Sequence, residues 1–224
     1  MTIPDIITID GPAGSGKSTL GELLARRLGY LYFDTGTMYR ALTWAALQRG
    51  VDLRDGAATA ALADALDITV QPPTTADGRQ YTVLVDGHDV TWELRNPDVE
   101  RQVSLAASYP AVRQIMRAQQ REIGQRGRIV MVGRDIGNIV MPNAPLKIYL
   151  EASLTERARR RVAELRSRGQ QVPLDTMQAE VARRDALDQH VMVPALDALV
   201  IHSDGRSPEQ IVDTILAHCT QNMR

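Results

Sequence analysis

The chain has 224 residues, of which 44% are hydrophobic and 24% are charged, and its formal net charge is −1. These values are typical of a globular protein with a proper core, and they argue against a chain that mainly coats nucleic acid or an anionic membrane. A single cysteine, Cys219, rules out an intrachain disulfide, and residues 1–10 lack the features of a signal peptide. No apolar run in the sequence has membrane-spanning length. We therefore expect a cytoplasmic protein.

The first predicted elements enclose a phosphate-binding loop. The β-branched run Ile6–Asp10 predicts a buried strand, and the leucines between positions 20 and 28 recur at helical spacing. Between them lies the pattern G-x-x-x-x-G-K-S, whose glycines let backbone N–H groups surround a polyphosphate at the start of a helix. Lys17 supplies a cation for the outer phosphates, and Ser18 supplies a hydroxyl for Mg²⁺. The expected polyphosphate-binding residues are Gly11, Pro12, Ala13, Gly14, Ser15, Gly16, Lys17, Ser18 and Thr19.

A second strand and two helices are predicted next. Tyr30–Asp34 is a short apolar run that leads into the polar segment Thr35–Arg40 and a helix through Leu47. An alanine-rich stretch at 57–66 predicts a further helix.

The following segment predicts a small antiparallel sheet. Ile68–Val70 and the run from Tyr81 to Val90 are rich in β-branched residues, and the second run contains the pair Asp86-Gly87, a strong hairpin signal. Residues 68–92 therefore form an insertion between helical segments. Insertions beside a nucleotide site often carry acceptor recognition.

Strands and helices alternate through the rest of the chain. The predicted strands are 129–132, 146–150 and 199–201, and the predicted helices lie in 96–125 (a second one starting at Pro110), 155–168, 174–186 and after Ser207-Pro208. Such alternation predicts an α/β fold in which helices cover both faces of a parallel sheet.

Three polar segments follow strands of this sheet, and ligand sites of such sheets lie at the carboxyl ends of the strands. The segments are the phosphate loop, Asp34–Arg40 and Gly133–Gly137. Arg40 and Arg134 would then face a bound polyphosphate and hold a second anion. The expected chemistry is phosphoryl transfer, which needs positioned phosphates and neutralised charge rather than a nucleophile–base pair.

Other residues give weaker indications. The four histidines, at 88, 190, 202 and 218, are scattered, and no His or Cys spacing indicates a metal site. The arginine-rich run 157–161 is flanked by glutamates, so it is either a solvated helix face or a lid that closes over a nucleotide.

Taken in this order, the motifs Asp34-Thr35-Gly36-Thr37-Met38-Tyr39-Arg40 and Gly133-Arg134-Asp135-Ile136-Gly137 behind a phosphate loop make the chain resemble bacterial cytidylate kinases over nearly its whole length. The resemblance is to a subgroup with a shorter lid. It implies a three-layer P-loop kinase fold with an antiparallel-β insertion that binds a nucleoside monophosphate and a helical lid. It implies transfer of a phosphoryl group from MgATP to CMP or dCMP.

Residue roles follow from the same resemblance. Catalytic roles fall to Lys17, Arg40 and Arg134, and ATP contacts fall to the phosphate loop with Arg157 and Arg161. The acceptor phosphate would be held by Thr35, Arg40 and Arg134. Cytosine would be read by Ser104, Arg113 and Asp135, whose acceptors and donor complement its amine, ring nitrogen and carbonyl. Arg184 and Asp188 match lid positions that contact the sugar and phosphate.

The chain departs from the family pattern at two places. Val132 stands where most members have an acidic residue, so the contribution of that acid is either absent or supplied by Asp34, the expected water-mediated partner of a magnesium ion held by Ser18. The segment after Asp188 is shorter than in most members and lacks an arginine, which His190 or the run 157–161 would replace.

The expected organisation is a single P-loop kinase unit, 1–224. Its core comprises 1–35, 127–152 and 197–224; its monophosphate-binding region is 36–126, with the β-rich insertion at 67–95; its lid is 153–196. The expected partners are the small-molecule substrates alone, without nucleic acid or membrane, and the expected state is a monomer.

Two alternatives stay open. Another P-loop small-molecule kinase would use the insertion for a different acceptor. A nucleotide-dependent switch or nucleic-acid-binding protein is a different class, but the sequence has no Asn-Lys-x-Asp motif for guanine, and only 4% of its residues are aromatic.

Overall fold

The computed structural model describes residues 3–167, 169–188 and 192–221, and the side chains of all of these except 187, 188 and 221. In this part of the chain the strands are β1 (Ile6–Asp10), β2 (Leu31–Asp34), β3 (Ile68–Gln71), β4 (Thr82–Val85), β5 (His88–Asp89), β6 (Ile129–Val132), β7 (Leu146–Glu151) and β8 (Leu199–His202). The helices are α1 (Lys17–Leu28), α2 (Gly36–Arg49), α3 (Gly56–Ala65), α4 (Pro97–Ala106), α5 (Pro110–Gln125), α6 (Leu154–Ser167), α7 (Leu174–Asp188) and α8 (Pro208–Gln221).

The main sheet has the strand order β2-β6-β1-β7-β8. Its central strands β1, β6 and β7 are buried at nearly every position, as expected where helices cover both faces of a parallel sheet. In the parallel ladders Ile9 lies opposite Ile148, and Ile148 lies opposite Leu199. The edge strand β8 is more exposed than β6, which is buried at every position. The predicted α/β fold with a parallel sheet is confirmed.

The insertion forms a second, antiparallel sheet of order β3-β4-β5. Asp86 and Gly87 have φ values of 49° and 80° and form the tight turn between β4 and β5, as the Asp-Gly pair predicts. Arg79 holds the hairpin to the preceding loop because its guanidinium pairs with both Asp77 and Asp89. The predicted hairpin is confirmed.

Side chains cap the starts of α4 and α8, whereas Thr35 makes no side-chain cap bond at the start of α2. Asn96 accepts the Asp98 N–H at 2.9 Å, and Pro97 follows at the first helical position. Ser207 and Gln210 bond reciprocally: the Gln210 N–H donates to the serine hydroxyl, and the Ser207 N–H donates to the glutamine side chain. The predicted helix ends lie within two residues of the observed ones, except that α2 already begins at Gly36, inside the predicted polar segment Thr35–Arg40; Arg168, predicted to end α6, lies outside the described residues.

A π-helical segment at Ile136–Val140 is an element that the sequence does not predict. Its apolar run has no helical periodicity, and its first turn is held from outside by the Asp10 carboxylate, which accepts the N–H groups of Ile136 and Gly137. Tertiary contacts therefore decide the structure of this segment.

Contacts divide the chain into two compact units. The first comprises Met1–Tyr30 with Val130–Arg224, as far as these residues are described, and the second comprises Leu31–Ile129. The finer division into core, monophosphate-binding region and lid stays a prediction. Among the described helices, none combines the length and apolar character that crossing a membrane requires.

Candidate active site

The phosphate loop, Gly11–Thr19, links β1 to α1 in the first unit, and its shape depends on glycine. Gly11 has a φ of 144°, and a Cβ atom at this position would lie 2.2 Å from the Leu150 carbonyl oxygen. Gly14 and Gly16 also have positive φ values, of 80° and 97°. This backbone curvature is what turns consecutive N–H groups toward an anion.

The polar side chains of the loop differ in exposure. The Lys17 ammonium donates to the Pro12 carbonyl at 2.7 Å and is thus folded onto its own loop. Ser18 and Thr19 are exposed in the first turn of α1. The Ser15 hydroxyl is buried and has no hydrogen-bond partner among the described residues. The Lys17 ammonium and the exposed Ser18 hydroxyl, together at a helix N-terminus, form a set of groups that suits a polyphosphate.

Two arginines of α6 contact the backbone of the phosphate loop. Arg157 is buried; its guanidinium donates to the Ala13 carbonyl at 3.2 Å and to both carboxylate oxygens of Asp185 at 2.9 and 2.6 Å. Arg160 donates to the Ser15 carbonyl at 2.9 Å and also bonds Ser203. Helix α6 therefore presents two guanidinium groups to this loop.

Arg161 has a different environment. Its side chain is 44% exposed and pairs with Glu164 at 2.7 Å, one turn along the same helix. The resemblance assigns ATP contacts to Arg157 and Arg161, and the sequence indicates Arg160 only as part of the arginine-rich run 157–161. The spacing from Arg157 to Arg160 is three residues, which places both on one helix face, and this signal could have found the pair.

A cavity of about 400 Å³ opens beside the phosphate loop in the first unit. Its lining includes Pro12, Tyr149, Ser153 and Asp204. The Asp204 carboxylate accepts the Ser153 N–H at 3.0 Å, and the pKa of this carboxyl is lowered, first by the side chain of Ser153 and then by its backbone N–H. The carboxyl ends of β7 and β8 thus form one wall of a space next to the loop.

The segment Gly133–Gly137 leaves the carboxyl end of β6 and is tied to β1. The Gly133 N–H donates to the Ile9 carbonyl at 3.1 Å. The Asp10 carboxylate accepts the Ile136 and Gly137 N–H groups at 2.8 and 2.7 Å. Arg134 and Asp135, the predicted acceptor-binding residues, lie between these three attachments, and Asp135 is buried.

Asp10 has an unusual protonation equilibrium. Burial raises its pKa to about 6, and the nearby Asp135 carboxylate also raises it. The two N–H bonds and the Lys17 ammonium act in the opposite direction. The sequence does not single out Asp10, because a polar residue commonly ends a strand. Its position directly before Gly11 is the one signal that the sequence offers for it.

Val132 and Asp34 are the positions that bear on a metal ion. Val132 is buried at the end of β6, so an apolar side chain stands where the family pattern has an acid. The Asp34 carboxylate in the second unit accepts the Gly36 N–H at 3.0 Å. Within the described residues, no three His, Cys, Asp or Glu side chains cluster in a way that could hold a metal ion.

The second unit holds two of the three predicted residues for the acceptor phosphate, Thr35 and Arg40, whereas Arg134 belongs to the first unit. Thr35 is buried directly before α2. Arg40 lies on α2, and its Nη2 and Nε donate to one carboxylate oxygen of Glu100 on α4, at 2.8 and 3.2 Å. Sequence reasoning missed Glu100, because nothing in a sequence indicates which exposed acid of one helix will face an arginine of another.

Tyr81 connects the insertion to the start of α2. Its hydroxyl bonds the Thr37 hydroxyl at 2.8 Å, and its ring lies 5.7 Å from that of Tyr32. Burial is the main cause of its raised pKa, and the charge of Asp34 adds to it. The insertion is thereby attached to the segment that carries Thr35 and Arg40.

The remaining predicted residues are less enclosed. Ser104 is exposed on α4, one turn after Glu100, and Arg113 is half-buried in the first turn of α5. Arg184 is exposed on α7. Asp188 ends α7 but its side chain lies outside the described part, as does all of His190.

Comparison with known proteins identifies the family. A family model described as cytidylate kinase matches residues 7–221. The chain belongs to the cytidylate kinase family. The cytidylate kinase of Roseiflexus castenholzii is 64% identical over 218 residues, which are 97% of this chain and 94% of that protein. The cytidylate kinase of Chloroflexus aggregans is 62% identical over 216 residues, which are 96% and 94% of the two chains.

Membership of the cytidylate kinase family makes the protein an ATP-dependent kinase, a phosphotransferase that acts on a nucleoside monophosphate. The predicted family is therefore confirmed. A solved shikimate kinase from Acinetobacter baumannii superposes with a TM-score of 0.54 at 15% identity, covering 99% of this chain and 96% of its own. At that identity the likeness concerns the P-loop kinase fold alone.

Proposed function

We propose that the protein transfers the terminal phosphoryl group of MgATP to CMP or dCMP, yielding ADP and CDP or dCDP. The observation that carries this proposal is the attachment of the Arg134-Asp135 segment to β1 through Asp10, directly before the phosphate loop. This attachment supports the proposal because it holds Arg134, proposed to bind an anion, and Asp135, proposed to read the base, in a segment next to a loop that suits a polyphosphate. The names of the relatives support cytosine as the acceptor base.

On the donor side, we assign ATP to the loop Gly11–Thr19, with Lys17 on the outer phosphates. Arg157 and Arg160 contact the loop backbone and are placed to add positive charge when phosphates occupy it. Arg161 points to Glu164 in this structure, so its role as an ATP ligand remains a prediction. The donor nucleoside is assigned to the cavity beside Pro12.

The residues present fit a magnesium ion that arrives with the nucleotide. Mg²⁺ in kinase sites is usually held by one or two protein oxygens together with phosphates and water, and exposed Ser18 provides one oxygen at the helix start. Asp34 would act through water. When bound, the ion neutralises charge on the transferred phosphoryl group.

On the acceptor side, we assign the phosphate of the nucleotide to Thr35, Arg40 and Arg134. Asp135 and Ser104 accept from the exocyclic amine of cytosine, while Arg113 donates to its ring nitrogen and carbonyl. Uracil presents the opposite pattern, so it would leave these groups unpaired and bind less well. Arg184 and Asp188 are assigned to the sugar and phosphate.

The transfer itself needs no general base. The attacking atom is an oxygen of a phosphate that is already ionised, so no proton has to be removed. The work of the protein is to hold two phosphates in line and to neutralise their charge, for which Lys17, Arg40 and Arg134 are the cations.

The test is ADP release measured with CMP, dCMP, UMP, AMP and GMP as acceptors at equal concentrations. We expect CMP and dCMP to give rates at least about 100-fold above the others, because a site whose polar groups are left unpaired can discriminate by up to about 10⁴-fold or more. Lys17→Ala should abolish release with every acceptor and thereby exclude a contaminating kinase. Equal rates with UMP or AMP would refute the cytosine assignment.

A further inference from the structure

Asp10 is a buried carboxylate to which the mechanism above gives no direct role. It ends β1, and the next residue, Gly11, begins the phosphate loop. Each oxygen of its carboxylate accepts one hydrogen bond: Oδ1 accepts from the Ile136 N–H at 2.8 Å, and Oδ2 accepts from the Gly137 N–H at 2.7 Å. One side chain thus joins the start of the donor loop to the end of the segment that carries Arg134 and Asp135.

The fit around this carboxylate leaves little room for adjustment. A Cβ atom at Gly137 would lie 3.2 Å from Asp10 Oδ2 and 3.1 Å from the Thr8 hydroxyl. Backbone N–H groups point at both carboxylate oxygens, so the arrangement satisfies an ionised carboxylate better than a neutral one, which keeps only one good acceptor oxygen.

The charges around Asp10 come from several elements. Asp135 lies on the same loop as the two N–H donors and disfavours a second negative charge, whereas Lys17 from α1 favours it. The β7 side chains of Tyr149 and Lys147 are also near; the Lys147 ammonium is paired with Asp197 at 2.9 Å. Burial outweighs the favourable contacts and leaves the pKa of Asp10 at about 6.

We propose that Asp10 is a positioning residue for phosphoryl transfer: its ionised carboxylate fixes the Arg134-Asp135 segment relative to the phosphate loop. The inference rests on the proposed acceptor roles of Arg134 and Asp135. Misplacement of a reacting group by about 1 Å can cost about 100-fold in rate, so loosening this attachment affects turnover without removing any group that touches substrate.

The test compares Asp10→Asn with Thr8→Val. Asparagine has nearly the same shape but offers one acceptor and turns an N–H₂ group toward the other backbone N–H. Thr8 lies on the same strand, against the same glycine, and its buried hydroxyl has no hydrogen-bond partner among the described residues. Thr8→Val is therefore a control for disturbance of the buried strand.

We expect Asp10→Asn to lower kcat about 10- to 100-fold at saturating substrates and to leave the KM for ATP within about threefold. The acceptor is whichever nucleotide of the panel gives the highest rate, so an error in the base assignment does not affect the comparison. Because phosphate groups themselves titrate near pH 6, the readout is the difference between profiles: the wild-type kcat should fall below pH 6 along a limb that Asp10→Asn lacks. Thr8→Val should keep the wild-type profile.

Hydrogen exchange at residues 133–140 tests the attachment without any substrate. In the wild-type protein, protection of the Ile136 and Gly137 amides, corrected for the intrinsic rate, should fall as pH drops from 8 to 5. In Asp10→Asn it should be low at both pH values.

Wild-type kcat in a folded Asp10→Asn would overturn the proposal, and so would pH-independent protection in the wild-type protein. Altered exchange with unchanged kcat would also overturn it, since Asp10 would then be a structural attachment only. If Asp10→Asn fails to fold, the hydrogen exchange of the wild-type protein still tests the proposal, through the pH dependence of protection at Ile136 and Gly137. If every acceptor fails, the proposed function falls while the exchange test still stands.

Discussion

The two units hold their predicted phosphate-binding arginines in different ways. In the first unit, Arg157 and Asp185 form an ion pair whose side chains are 7% and 25% exposed, and the arginine also bonds the loop backbone. In the second unit, Arg40 and Glu100 form a pair that is 32% and 51% exposed. A buried guanidinium with several fixed acceptors is preorganised. In an exposed pair the attraction is screened by solvent and salt, so another anion can easily replace the carboxylate. Arg157, which we propose for the donor side, is therefore built into the packing, and Arg40, which we propose for the acceptor side, is in an exposed pair that another anion can replace.

The largest expected effect comes from removing the arginine of the segment that Asp10 attaches. We expect Arg134→Ala to lower kcat/KM for the acceptor about 1,000-fold, the lower end of what a charge-stabilising arginine contributes in phosphoryl transfer. The measurement is steady-state ADP release together with thermal unfolding. Arg54→Ala, at an exposed arginine that pairs with Asp52, is the matched control and should keep wild-type kinetics. A folded Arg134→Ala with unchanged turnover would remove Arg134 from the acceptor site.

The second expected effect concerns stability and follows from Asp10. Its pKa is raised from 3.8 to about 6 in the folded protein, so folding favours the protonated form. The ionised group thus lowers stability fully above pH 6, by about 3 kcal/mol, and this loss disappears as pH falls toward 3.8. Asparagine does not titrate, so we expect the urea stability of Asp10→Asn relative to the wild type to be about 2 kcal/mol more favourable at pH 8 than at pH 4.5. A pH-independent difference would contradict the assigned protonation.

The third expected effect compares two arginines of α6. Arg157→Ala removes charged hydrogen bonds to Asp185 and should lower the free energy of unfolding by about 2 kcal/mol. It should also raise the KM for ATP. Arg161→Ala removes only an exposed pair with Glu164 and should change stability by less than about 0.5 kcal/mol. The measurement is urea unfolding of both variants. An equal loss in the free energy of unfolding would contradict the view that the burial of Arg157 distinguishes the first unit.

The smallest expected effect concerns the exposed pair of the second unit. Glu100→Gln removes a negative charge with which an acceptor phosphate must compete for Arg40. We expect the KM for the acceptor to fall about two- to threefold, in line with an exposed pair of less than 1 kcal/mol. A rise in this KM would mean that Glu100 orients Arg40 rather than competing for it. Raising the salt concentration should shrink the difference between variant and wild type.

Much of the fold is predictable because local patterns determine it. The phosphate loop, the Asp86-Gly87 hairpin and the apolar parallel strands follow from glycine spacing, turn chemistry and burial. The π-helical segment at 136–140 is not predictable, because its conformation depends on a carboxylate more than one hundred residues away in sequence. Element ends depend on caps and long-range bonds, which explains their differences of a few residues.

The candidate site is predictable to a similar degree. Motifs indicate Lys17, Arg40 and Arg134, because phosphate chemistry restricts these positions to particular residue types. Asp10, Arg160 and Glu100 each act through a partner distant in sequence, so the local signals at Asp10 and Arg160 mark their positions but do not reveal what they hold. A sequence shows which side chains can bind phosphate, whereas the residues that hold those side chains in place are selected by packing.

The close approach of Gly11 to Leu150 has a consequence for how this protein can vary. Because a Cβ atom would lie 2.2 Å from a backbone oxygen of the adjacent strand, no change of a neighbouring side chain can make room for one. A compensating mutation that shortens a neighbouring side chain cannot relieve this clash, because the clashing atom belongs to the backbone. At Gly78, by contrast, no atom lies within 4 Å of the added Cβ, and a residue that tolerates positive φ, such as asparagine, can replace it. We therefore expect substitutions to be tolerated at Gly78 in the insertion and not at Gly11, where the phosphate loop begins.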